Sequence, residues 1–82
     1  MPPESGSAPI ADALLVQLIQ DALGRTEKTR RLPRPNISSC KFVVTLRSRA
    51  RGLKERYSIE EVARQVPGVL GVVNKIRVTR AL

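Results

Sequence analysis

The chain has 82 residues, with 15 Lys and Arg against seven Asp and Glu, a formal net charge of +8, a single Cys and no His. That inventory excludes an intramolecular disulfide framework, ordinary zinc sites and His-based acid–base or nucleophilic catalysis. A chain this short holds one modest domain. Phe42 and Tyr57 are its only aromatics, so its core is built from Val, Leu, Ile and Ala and encloses no drug-sized cavity of roughly 300 Å³ or more. The basic excess favours an anionic partner.

Residues 1–8 are rich in Pro, Ser and Gly and read as a disordered tail. Glu4 without Lys or Arg, and an apolar run no longer than Ala13 to Val16, do not make a secretory signal or a transmembrane span. The remainder, 9–82, reads as one domain. A first helix is predicted over 9–24, with Ser7 as cap, Pro9 in the first turn and Gly24 as terminator. Ile10, Leu14, Leu15, Leu18, Ile19, Ala22 and Leu23 form its apolar face, and Asp12, Gln17, Gln20 and Asp21 its polar one.

Residues 25–36 form a basic linker without apolar periodicity, and 37–50 are strand material. Val44, Leu46 and Ala50 alternate with Val43, Thr45, Arg47 and Arg49, so the first set faces the core. The stretch Ile37 to Phe42 has no turn glycine and is about two residues short for a regular strand plus turn, so the first strand is expected to be very short, irregular, or formed partly by residues of the linker. Cys40 is expected to be a small buried hydrophobe.

Arg51 to Tyr57 fits either a first helical turn or a loop before a Ser58 cap, and we take a second helix over 53–66. Ser58 and Glu61 have capping-box spacing, and Ile59, Val62, Ala63 and Val66 form the apolar stripe. Pro67-Gly68 stops it, with Gly68 in a left-handed conformation. In the last strand, 71–79, Val72, Asn74, Ile76 and Val78 alternate with Val73, Lys75, Arg77 and Thr79. The expected fold is α+β, an αββαβ two-layer sandwich with two helices on one face of a small three-stranded mixed sheet. Its core joins Leu14, Leu15, Leu18, Ile19, Val62, Ala63 and Val66 to Val44, Leu46, Ile76 and Val78.

Three segments carry a resemblance: Val44-Thr45-Leu46-Arg47, Glu61 to Val69 ending in Val66-Pro67-Gly68-Val69, and Val72-Val73-Asn74-Lys75-Ile76-Arg77-Val78. In this order, over residues 43–78, they resemble the BON domain, a bacterial module named after osmotically inducible and nodulation proteins. The resemblance implies the same αββαβ order, attachment to anionic phospholipid and placement in the cell envelope. Two features depart from the family pattern: Ser48 stands where a glycine is usual, and the hairpin turn lacks one.

Eleven Lys and Arg lie between Arg25 and Arg56, against Glu27 and Glu55 alone. Strand parity places Arg47, Arg49, Lys75 and Arg77 on the sheet face away from the helices. Arg25, Lys28, Arg30, Arg31 and Arg34 lie in a linker able to move toward the same target. These nine are the candidate anion-binding residues, although solvated sheets also carry long cations as a matter of course. Glu60-Glu61 point apart on a helix, Ser38-Ser39 have no base, and the glycines form no phosphate loop. No catalytic, cofactor or metal site is expected. The reading is a non-enzymatic module on an anionic lipid surface. A protein-interaction or self-association module is the alternative, and nucleic-acid binding ranks third for want of stacking aromatics. Without an export signal the sequence points to the cytoplasm, and the resemblance points to the envelope.

Overall fold

The computed structural model describes residues 10–79, so the tail, the Ser7 cap and Pro9 lie outside the described residues. The order is α1 (Ile10–Arg25), β1 (Asn36–Cys40), β2 (Val43–Arg47), β3 (Arg49–Ala50), α2 (Leu53–Gln65), β4 (Gly71–Asn74) and β5 (Arg77–Val78). This is a small α+β fold with two helices and a mixed sheet of order β1-β2-β4. β1 pairs antiparallel with β2, and β2 pairs parallel with β4. The parallel β3–β5 ladder continues that register without a slip: Val43 lies opposite Gly71, and Arg49 opposite Arg77.

Period-two alternation fixes which face is covered. Val44, Leu46, Ala50 and Ile76 are buried beneath Leu15, Ile19 and Leu23 of α1 and Ile59, Val62 and Ala63 of α2. The α1 stripe is narrower than its composition suggests. Leu14 and Leu18, expected in the core, are 57% and 40% exposed. Each sits one residue, about 100° of helical turn, from the buried Leu15 and Ile19. Gly24 does not terminate α1, which runs through it to Arg25. Instead Arg34 lies close, its Nη2 2.6 Å from where a Cβ of Gly24 would stand.

Asp12, assigned to the polar face, is the principal correction. It is buried, and its carboxylate accepts the Ser39 hydroxyl at 2.6 Å and the main-chain N–H groups of Phe42 at 2.9 Å and Lys41 at 3.0 Å. The Ser39 hydroxyl first, then the Phe42 N–H, holds the Asp12 carboxyl below the usual carboxylate range, with Lys41 N–H adding to them and burial opposing all three. Those N–H groups are the ones a tight turn leaves without ladder partners. Lys41 and Phe42 both have positive φ, 52° and 68°, as a two-residue type I′ turn requires. The first strand is therefore a regular five-residue strand with a two-residue turn. A buried carboxylate on α1 organises the turn that glycine usually makes. Cys40, expected to be buried, is exposed.

α2 begins at Leu53, with Glu55 accepting the Arg51 N–H at 3.0 Å. The Ser58–Glu61 spacing is not a capping box here. Ser58 lies inside the helix and donates its hydroxyl to Lys54 O. Glu61 accepts Lys28 Nζ at 2.7 Å, and the ammonium holds its carboxyl below the ordinary range. Gly68 has φ +100°, as expected, but in a turn closed by Val69 N–H donating to Val66 O at 3.2 Å, just past the helix.

Residues 26–35 pack against the end of α1. The Thr29 hydroxyl donates to Leu23 O at 2.8 Å, and Thr29 and Pro35 are buried. At the other edge of the sheet, Asn74 Nδ2 donates to Glu60 Oε1 and Asn74 Oδ1 accepts the Ile76 N–H, while Arg56 Nη2 donates to Asn74 O.

Candidate anion-binding face

The helices leave one sheet face open. On it strand parity arrays Asn36, Ser38 and Cys40, then Val43, Thr45, Arg47 and Arg49, then Val73, Lys75 and Arg77. The continuous parallel register sets Arg49 against Arg77 and, within the same run, Arg47 against Lys75. Main-chain bonds hold the two strands together here: Lys75 N–H donates to Leu46 O at 2.8 Å, and Arg77 N–H to Ser48 O at 3.0 Å. Ser48 is thus accommodated without a slip, where the BON pattern has glycine.

Arg47, Arg49, Lys75 and Arg77, with Ser48, line a shallow concavity of about 610 Å³. All four are exposed, and none forms an ion pair among the described residues. An adjoining concavity of about 470 Å³ shares Arg49 and adds Arg31 and Arg51, together with Glu55. The sheet quartet is therefore brought together as the alternation predicts, with Arg31 beside it.

The other linker cations do not line either concavity. Lys28 is tied to Glu61 of α2, on the covered side of the sheet. Arg25 Nε donates to Asp21 O at 3.4 Å, Arg34 lies against Gly24, and the exposed Arg30 lines neither concavity. Within the linker, Thr29 and Pro35 are buried, so the segment packs against the fold between these cations. Arg51 was missed. It lies just past the end of β3, where strand parity no longer places a side chain, and lines the adjoining concavity with Arg49.

The hairpin end of the same face is apolar. Val43 and Val73 are about two-fifths exposed, Leu70 is 77% exposed, and Leu70 N–H donates to Phe42 O at 2.9 Å. This half also went unread, because Leu70 falls between two glycines and outside either periodic run. The face is thus basic at one end and apolar at the other. Among the described residues no group of three or more His, Cys, Asp or Glu could hold a metal ion, and no helix is long and apolar enough to cross a membrane. Comparison with protein-family models and with curated proteins gives no match to this chain.

Proposed function

We propose that the chain is a non-enzymatic binding module, resembling a BON domain, that attaches to an anionic phospholipid surface through the basic end of its open sheet face. The observation that carries this is the quartet Arg47, Arg49, Lys75 and Arg77, side by side on two paired strands and without a carboxylate partner among the described residues. By contrast Lys28 and Arg64, on the helical side, each meet a glutamate. Each cation near an anionic membrane contributes about 1 kcal/mol, so the quartet suffices for reversible attachment. Placement at the bacterial envelope belongs to the same proposal and rests on the resemblance alone.

Co-sedimentation with vesicles tests it. Anionic vesicles should pellet the protein and neutral ones should not. Raising salt should release it, through screening over a Debye length of about 8–10 Å. Replacing the quartet with Gln should weaken binding by up to roughly 4 kcal/mol if the four act independently. Indifference of the wild type to surface charge would sink the reading.

A protein-interaction role is the second reading, favoured by the apolar end of the face, where Phe42, Val43, Leu70 and Val73 are exposed together. Nucleic acid is the weakest fit. The outward strand positions carry no aromatic on which a base could stack.

A further inference from the structure

The quartet has a shape as well as a charge. Neighbouring strands lie about 4.8 Å apart and alternate residues about 6.6 Å apart along a strand, so the side chains rise from the corners of a small rectangle. Arg47 and Lys75 form one short side, and Arg49 and Arg77 the other. Like charges facing each other across adjacent strands repel. An anion seated between the four would relieve that repulsion. Three corners are arginines, whose planar forks take phosphate oxygens in pairs.

The surroundings limit the size of that anion. Toward the hairpin the next outward residues are Thr45 and Val73, and across β1 they are Asn36 and Ser38, all uncharged. Among the described residues the positive field therefore does not continue toward the hairpin or across β1 as a track along which a polymer backbone could lie. It extends, among the described residues, past Arg49, toward Arg31 and Arg51.

From this geometry, and resting on the reading that the basic face binds anions, we infer that the concavity is a discrete site for a compact ligand bearing two or more phosphate groups. The same chemistry is offered by a free oligophosphate and by a multiply phosphorylated lipid headgroup.

The 82-residue chain is titrated by calorimetry with tripolyphosphate, then with sulfate at matched ionic strength. Vesicles of neutral lipid doped with a bisphosphorylated phosphoinositide form a second arm, against vesicles of equal total charge made with phosphatidylserine. A thymidine oligonucleotide forms a third. The expected result is saturable binding of one tripolyphosphate per chain, at least about tenfold tighter than sulfate. Arg49→Gln/Arg77→Gln should lose about tenfold or more of that affinity, with far-UV circular dichroism unchanged. Lys54→Gln/Arg64→Gln removes the same charge from α2 and should keep wild-type affinity.

Preference for the phosphoinositide vesicles assigns the site to a headgroup, and equal binding of both vesicle types alongside tight tripolyphosphate assigns it to a free ligand. Tripolyphosphate no tighter than sulfate, an equal loss in both double variants, or tighter binding per phosphate to the oligonucleotide overturns the inference. If phosphatidylserine vesicles bind while tripolyphosphate does not, surface attachment stands and the discrete site falls. If neither binds, both fall.

Discussion

Phe42 donates its main-chain N–H to the carboxylate of Asp12 at 2.9 Å, across thirty positions of sequence. Helix α1 thereby holds the tip of the β1–β2 hairpin, and the sheet's apolar end depends on one buried acid. Asp12→Ala leaves two turn N–H groups and the Ser39 hydroxyl without their acceptor. A fall in Tm of more than about 5 °C is expected for a domain of this size. Asp12→Asn keeps one acceptor oxygen and should lie between Ala and wild type in a thermal melt.

The same carboxylate gives a pH dependence. Its folded pKa is depressed, so the unfolded chain takes up the proton first as pH falls. The stabilisation is complete above the ordinary Asp range near about pH 4 and is lost as pH drops through and below it. Urea midpoints of the wild type should fall over that window, and those of Asp12→Ala should fall less. Parallel curves would remove Asp12 from the acid response.

Lys41 and Phe42 occupy left-handed backbone without being glycine. Asn tolerates that region, so Lys41→Asn should raise stability by up to about 1 kcal/mol. Chemical denaturation of the single variant is the check, and a loss of stability would contradict the turn geometry.

Leu15 and Leu18 separate the core stripe from the apolar residues beside it. Leu15→Ala should cost about 2–5 kcal/mol as a core truncation. Leu18→Ala, at a position 40% exposed, should cost less than about 1 kcal/mol. Similar melting temperatures for the two would undo the assignment of the stripe.

Gly68 and Gly71 bracket the entry to β4. Only Gly68 has positive φ, and nothing lies within 4 Å of a Cβ built on Gly71. Gly68→Ala should cost about 1–2 kcal/mol, and Gly71→Ala within about 0.5 kcal/mol of nothing. Equal tolerance at both would remove the reason for glycine in the turn.

What could be read in the sequence was whatever depends on near neighbours along the chain. Alternation from Val43 to Ala50 and from Val72 to Val78 gave both the covered face and the cation quartet, because side-chain direction in a strand is fixed by parity. The start of α2 at Leu53 was one of two readings the sequence left open, the other being a loop up to a Ser58 cap. What could not be read depends on groups far apart in sequence. The hairpin looked too short because its turn is held by Asp12, and no local pattern in Cys40-Lys41-Phe42-Val43 announces that acceptor. Leu14 and Leu18 misled because α1 carries more apolar residues than its contact with the sheet can cover. Ser58–Glu61 misled for a third reason: a capping spacing carries no meaning inside a helix already started upstream.

The Asn74 network has a consequence for how this sheet meets other chains. Odd-numbered residues of β4 and β5 bond inward, as Lys75, Arg77 and Thr79 do to Leu46, Ser48 and Ala50. The main-chain groups of Asn74 and Ile76 therefore face the rim. There Arg56 takes the Asn74 carbonyl, and the Asn74 side chain takes the Ile76 N–H. The opposite rim, β1, has no such seal among the described residues. A two-residue turn makes Cys40, Ser38 and Asn36 the bonded pairs of the ladder, which leaves Ile37 and Ser39 facing out. Pro33 and Pro35 stop that margin from lengthening. Strand addition next to Asn74 and Ile76 is therefore opposed by groups already bonded there, and peptide augmentation would be expected to begin at β1 instead.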